Sequence, residues 1–233
     1  MKYITVASYN IRHGADVDGD WNRLAAVIKE SGADVVGLQE VDMHTSRVGG
    51  RDTLEGLKTA TGFEYALFIP AMEFAGGLYG TAILSRLPLE CRVIQALDSG
   101  AYEPRAFGCV TVSLGDGKDL WMLNTHLSYE SDEQRRLQMA QLADFMGRAI
   151  PSDAAVVLTG DFNTENFSSF APILAQGYAL INDDVHRLET FRDDPIAIDN
   201  IVYRQARIVP IAFAMIDSPC SDHNLLWCRF ELA

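Results

Sequence analysis

Residues 158–166 read LTGDFNTEN. The preceding run, AAVVLTG, has the apolar character of a buried strand. Asp161 and Asn163 follow directly after Gly160. An acid and an amide two residues apart at a strand end form either a turn or a reacting centre. Gly reaches positive φ and Asx side chains bond their own backbone, so on composition alone GDFN is a turn. Short motifs recur by chance, and the decision rests on the other strand ends.

Apolar strands alternate with amphipathic helices along the chain. YITVASYN reads as a strand, Trp21, Leu24, Ala25 and Ile28 fall at helical spacing, Gly32 stops that helix, and DVVGLQ is a second strand. From Tyr65 to Asn124 the pattern becomes strand-rich, with YALFI, TAILS, CRVIQAL, FGCVTVSL and LWMLNTH separated by Gly, Pro and Asp turns. Ser131 and Gln134 read as a capping box. Met139, Leu142, Ala143, Met146, Ala149 and Ile150 then follow at helical spacing. AAVVLTG, AIDNIVY, RIVPIAFAMI and LLWCRFEL supply further strands. These periodicities define an α/β class.

The 233 residues suggest one large domain or two small ones at about 150 residues each. Hydrophobic residues make up 48% and charged residues 22%, enough for a substantial core. No apolar run approaches the roughly 18 residues of a spanning helix, and the first strand lacks the pattern of a signal peptide, so a cytoplasmic location is expected. The formal net charge of −13, without any Lys/Arg-rich run, argues against tight, extended nucleic-acid binding. It does not argue against a phosphate ester, because clustered carboxylates are what a hard divalent cation requires. Cys91, Cys109, Cys220 and Cys228 show no CxxC spacing and read as reduced residues in or near strands.

Polar residues recur at the ends of the apolar runs: Asn10, Glu40, His126, Asp161, Asn163, Asp222 and His223, with Asp199 inside its own run. Strand ends feeding loops are where an α/β scaffold displays chemistry. Singly, each has an ordinary reading: Asn10 as a helix-entry cap, Glu40 as a solvated strand end, His126 as a semi-buried histidine. Asp199 is different, because an acid within an apolar strand needs a partner. His223 is its natural candidate, and a carboxylate on one imidazole nitrogen leaves the other for chemistry.

The blocks SYNIRHG, VVGLQEVD, YGTAILSR, NTHL with QRRLQ, LTGDFN, IDNIVY and SDHN span residues 8–224. In that order they resemble the endonuclease/exonuclease/phosphatase superfamily, which includes DNase I-like nucleases, neutral sphingomyelinases, inositol polyphosphate phosphatases and carbon catabolite repressor-type deadenylases. The resemblance implies a DNase I-like four-layer α/β sandwich over 1–233 as a single domain, two packed sheets flanked by helices. It implies that Asn10, Glu40 and Asp222 hold Mg²⁺ or Mn²⁺. Asp161 and Asn163 would orient or deprotonate the attacking water, and His223, held by Asp199, would contact phosphate and act in acid-base catalysis. His126 would stabilise the transition state, and Tyr79 matches a tyrosine near the phosphate. The base is left between Asp161 and His223, and Arg135 is open to a structural role.

The expected activity is divalent-metal-dependent hydrolysis of phosphate esters. DNase I-like members often carry an acid two places after the matching tyrosine, supporting the first histidine; this chain has Thr81. Short loops and the absence of basic clusters favour a small phosphodiester, a phosphomonoester or a lipid headgroup. A Mg²⁺-dependent nuclease and a non-catalytic binding protein on the same fold are the alternatives. Arg12, His13, Arg47, Arg51 and Arg105 are candidate substrate contacts, with a solvated surface as their other reading.

Overall fold

A computed structural model of the chain describes residues 2–115 and 117–232. One six-stranded sheet is built from β1 (Tyr3–Asn10), β2 (Val35–Met43), β3 (Tyr65–Phe74), β4 (Gly77–Ser85), β11 (Ile208–Ile216) and β12 (Leu225–Leu232), in the order β11-β12-β1-β2-β4-β3. The other contains β5 (Leu89–Leu97), β6 (Arg105–Gly115), β7 (Lys118–His126), β8 (Ala155–Asp161), β9 (Tyr178–Leu180) and β10 (Asp199–Arg204), in the order β5-β6-β7-β8-β10-β9. Helices α1 (Trp21–Glu30) and α2 (Thr53–Thr61) cover the first sheet, and α3 (Asp132–Ala149) and the short α4 (Ala171–Leu174) cover the second.

Three apolar layers result. Val6, Val35, Ile83, Val110, Val157 and Phe230 fill the space between the sheets. Leu24, Ile28 and Leu57 pack on Tyr9 and Leu38 under the first helical layer. Met139, Leu142 and Met146 pack on Phe107, Leu123 and Leu158 under the second. The arrangement is the expected four-layer sandwich.

Each sheet has one parallel pair, β1 with β2 and β7 with β8, and the remaining pairings are antiparallel. The register places Asn10 beside Gln39, His126 beside Asp161, and Asp161 beside Asp199. Strand pairing alone therefore gathers most of the polar strand ends.

Directly behind them a buried polar bridge crosses between the sheets. Gln39 donates to Asn124 Oδ1 at 2.8 Å and to Ser8 Oγ at 3.2 Å, and Thr159 Oγ1 donates to Asn124 Oδ1 at 3.0 Å. Asn124 Nδ2 donates to the carbonyls of Leu38 and Ala82 at 2.8 and 2.9 Å. Gly37 leaves the room: a Cβ there would lie 2.1 Å from Thr159 Oγ1.

Several local readings change. Ser131 caps α3 by accepting from Gln134 N, but the Gln134 side chain donates to Asp98 O, so the box is half formed. Ala149 is exposed, and Ile150 lies buried beyond the helix end. Asp199 opens β10 and is not inside it. Helix α2 has no counterpart in the periodicity reading, although Asp52 caps it, Glu55 follows at the third position and Gly62 ends it at φ 75. β11 is an edge strand, and Pro210 sits at its bulge, where no ladder donor is required.

Removing the centre of the bridge should loosen the sandwich. Asn124→Ala removes the bonds to the Leu38 and Ala82 carbonyls and the shared acceptor of Gln39 and Thr159, which keep Ser8 Oγ and Leu123 O, with an expected loss of about 3–5 kcal/mol in urea unfolding, against roughly 1–2 for Thr159→Val. Equal losses would show that the bridge does not hold the sheets together.

Candidate active site

The C-terminal ends of the parallel pairs open into a cavity of about 420 Å³ lined by Glu40, Arg47, Tyr79, Arg105, His126, Asp161, Asn163, Asp222 and His223. Its walls include Met72, Phe74, Tyr129, Phe191, Ile196 and Ile198.

Asp161 Oδ2 is the hub. Asn10 Nδ2 donates to it at 3.0 Å, His126 Nε2 lies 3.4 Å away and His223 Nε2 3.6 Å away. Its other oxygen accepts from the Asn163 backbone N–H at 2.9 Å, and Asn163 Nδ2 donates to Leu127 O at 2.9 Å. Asn163 has φ 52, so GDFN is geometrically an Asx turn whose acid faces the cavity. His223 Nδ1 meets Asp199 Oδ2 at 2.8 Å, and Asp199 Oδ1 is buried without a hydrogen-bond partner among the described residues.

Glu40 reaches the cavity by a different device. The β2–β4 register slips between Leu38 and Val41, and Glu40 has φ 55, a left-handed backbone uncommon for a residue with a side chain. The bulge breaks strand alternation, sending Gln39 into the intersheet bridge while Glu40 faces the site. Asn10 Nδ2 donates to Glu40 Oε1 at 3.2 Å, and His13 Nδ1 lies 3.6 Å from Oε2.

The electrostatics follow from burial and neighbours. Burial and the Asp199 carboxylate push Asp161 up to about 7. For His223 burial works downward, but Asp199 and Asp161 outweigh it and push the imidazole up to about 10. Glu40 is the reverse case: burial would raise it, yet the neighbouring His13 ring, the hydrogen bond from Asn10 and the charged His223 hold it down to about 2. Asp222 is raised by burial, with Glu40 adding to the rise.

Two groupings have the composition of a cation site. Ligand atoms of Asp161, Asp199 and His223 lie within 4.8 Å of one another. Asp199 and the His223 ring are already joined by a hydrogen bond, which suits proton handling better than coordination. Glu40 and Asp222 form the second: an ionised carboxylate and another raised partly by it, both with oxygen donors, while Asn10 turns its Nδ2 to Glu40 and its Oδ1 accepts from Arg12 N. That donor chemistry fits a hard divalent cation.

The candidate substrate contacts separate. Arg105 and Arg47 line the cavity. Arg47 is paired twice to buried Asp42, at 2.7 and 2.9 Å, and lies over the Phe74 ring. Arg12 is at the rim, 3.3 Å from Asp222, and His13 is beside Glu40. Arg51 is not at the cavity; it donates to Val48 O and Gly19 O and covers Trp21. Arg135 ties α3 to Ser128 O at 2.9 Å. Sequence reasoning passed over Asp42 and Glu103, the partners of Arg47 and Arg105, and the apolar walls. The short spacings in DMHTSR and EPR were the available signal for the ion pairs.

With this geometry in hand, the family is plain: a model of the endonuclease/exonuclease/phosphatase family matches residues 7–223, and the chain belongs to that family. No curated protein matches the sequence. Among solved structures, an endonuclease/exonuclease/phosphatase from Beutenbergia cavernae superposes with TM-score 0.82 at 21% identity, covering 100% of this chain and 72% of that one. One from Bacteroides vulgatus gives 0.79 at 19% identity, with 100% of both chains covered. The human Nocturnin catalytic domain, solved with a bound sulfate anion, gives 0.72 at 18%, covering 100% of this chain and 94% of that domain. These likenesses establish the DNase I-like fold. Enzymes of the family typically use divalent metals.

Linkage fixes one expectation for the metal-free protein. Because the Asp199 carboxylate favours the charged ring, NMR titration should find His223 protonated well above the ordinary value of about 6.5. Asp199→Asn should move that titration downward. An ordinary His223 titration unchanged by the substitution would contradict the pairing.

Proposed function

We propose that the chain is a single-domain, divalent-metal-dependent phosphoesterase acting on a small phosphate ester or a lipid headgroup. The observation that carries this reading is the convergence, on one cavity, of ionised Glu40, the Asp161 hub and two histidines.

Glu40, Asn10 and Asp222 would hold Mg²⁺ or Mn²⁺, which supplies charge neutralisation at the phosphoryl oxygens when bound. Asp161, poised at about 7, takes the proton of the attacking water, and Asn163 fixes the orientation of that carboxylate. Asp161 is assigned as base because His223 is held protonated by Asp199 and faces the cavity as a donor. His223 therefore stabilises the phosphoryl oxygens and returns a proton to the leaving alkoxide. His126 and the Tyr79 hydroxyl, which line the same cavity, would hydrogen-bond the phosphoryl group.

The walls support the substrate class. A cavity bounded by Phe74, Tyr129, Phe191, Ile196 and Ile198 suits an ester with an apolar or aromatic substituent. Arg47, at the cavity wall, is neutralised by Asp42 and so adds little attraction for a long polyanion. The four unpaired cysteines suit a reducing compartment, which favours the cytoplasm.

The test is hydrolysis of bis(p-nitrophenyl) phosphate and p-nitrophenyl phosphate with Mg²⁺, Mn²⁺ or EDTA, beside DNA and RNA. Expected is EDTA-sensitive turnover, lowered at least about 10²-fold in Asp161→Asn and in His223→Ala, both with native circular dichroism. Turnover indifferent to both changes would overturn the reading, and cleavage confined to nucleic acid would replace it with a nuclease. The rate should also fall on acidification as Asp161 gains its proton, by about tenfold per pH unit below its pKa.

A further inference from the structure

The two cavity histidines are wired in opposite senses. His223 Nδ1 faces a carboxylate, whereas His126 Nδ1 faces a guanidinium: Arg105 Nη1 lies 3.1 Å from it. We propose that Arg105 is a positioning residue that fixes His126 as the uncharged tautomer bearing its hydrogen on Nε2, making His126 a hydrogen-bond donor and not an acid. Its catalytic consequence rests on the phosphoesterase reading above; the tautomer itself does not.

Donors and acceptors fix the tautomer. A guanidinium offers five N–H groups, has no acceptor and does not deprotonate in proteins. The nitrogen it contacts must therefore supply a lone pair, which leaves the single ring hydrogen of neutral imidazole on Nε2. That nitrogen is the one directed toward Asp161 Oδ2, at 3.4 Å, and the cavity. Protonating His126 would set two donors against each other with no water between them, since Arg105 is 3% and His126 5% exposed. Arg105 has little freedom to retreat, because the same Nη1 lies 3.0 Å from Glu103 Oε1.

The other charged and titratable groups around the ring do not reverse this. Glu40 favours the charged ring, while burial, Arg105 and His223 oppose it, and the sum holds His126 well below the ordinary histidine value. Asp161 is the acceptor on the Nε2 side, and the buried Tyr79 hydroxyl lines the same cavity. Thr81 offers no carboxylate, and its hydroxyl has no hydrogen-bond partner among the described residues.

A neutral Nε2–H can hold a phosphoryl or leaving oxygen through a hydrogen bond without itself transferring a proton. Proton return then falls to His223 alone, and the two imidazoles do not compete for the same proton.

The experiment is nitrogen-detected NMR of the histidine rings in the metal-free full chain, wild type beside Arg105→Lys and Arg105→Met, with His126→Gln to assign the signals. Expected for wild type is an unprotonated Nδ1 and a protonated Nε2 on His126, persisting below the ordinary titration point of about 6.5. Arg105→Lys keeps a cationic donor and should keep that signature, whereas Arg105→Met should let His126 exchange tautomers and titrate upward by about one unit or more. A wild-type His126 that carries its hydrogen on Nδ1, or is charged at neutral pH, overturns the proposal even if the methionine variant fails to fold. So does a folded Arg105→Met protein with the wild-type ring signals. In parallel, His126→Gln, which restores an uncharged N–H donor, should retain about tenfold more turnover than His126→Ala. Parity between them would overturn the donor role. Absence of turnover in the wild type would overturn the phosphoesterase reading, with the ring signals still deciding the tautomer.

Discussion

The arrangement depends on the side chain of Asn124, buried between the sheets and bonded to both. Apolar packing between sheets is tolerant of small slides, because dispersion contacts are many, weak and non-directional. Hydrogen bonds to the carbonyls of Leu38 and Ala82, received together with donors from Gln39 and Thr159, are directional. A slide of one sheet over the other would break them in a space closed to water. The catalytic candidates belong to both sheets, with Asn10 and Glu40 on one and His126, Asp161 and Asp199 on the other. Their spacing across the cleft is consequently as firm as that bridge.

Much of this was legible in the sequence. Strand ends carry the polar residues because the apolar runs before them are buried, and Asp199 could be recognised as a partnered acid because a lone one would be costly within an apolar segment. The pairing with His223 and the gathering of Asn10, Glu40, Asp161 and Asp222 follow that reading. What periodicity did not show was the layering, since a 2-residue alternation reports two faces but not which sheet they meet. Helix α2 escaped because Leu54 and Leu57 alone carry its apolar stripe, and the Asp52 cap with Gly62 was the stronger signal. The roles of the arginines were hidden for a physical reason. A guanidinium reaches several ångströms from its Cα, so whether it meets a ligand, a carbonyl or a carboxylate depends on tertiary neighbours. Arg51, spent on Gly19 O, and Arg105, set against His126, look alike in sequence.

The site also combines opposed electrostatic environments within a small volume. Glu40 is stabilised as an anion by the donors around it, while Asp161 is destabilised as an anion by burial and by Asp199. Pairs of titratable groups pushed in opposite directions are the usual basis for assigning separate acid and base roles. The cost is borne by the fold, in the strained backbone of Glu40 and Asn163 and in the unpartnered Asp199 oxygen.

The bulge at Glu40 has a consequence for how such a chain can change. Because one extra residue separates Leu38 from Val41 relative to the opposite strand, the carboxylate reaches the cavity by count as well as by identity. Deleting a single residue here would remove the bulge, keep Val41 opposite Gly80, and leave one side chain to serve where Gln39 now enters the bridge and Glu40 the cleft. A length change of one residue in this strand is therefore more damaging than many substitutions within it. The neighbouring loops, which carry no such parity, remain free to grow or shrink and so to reshape the mouth of the cleft around an unchanged centre.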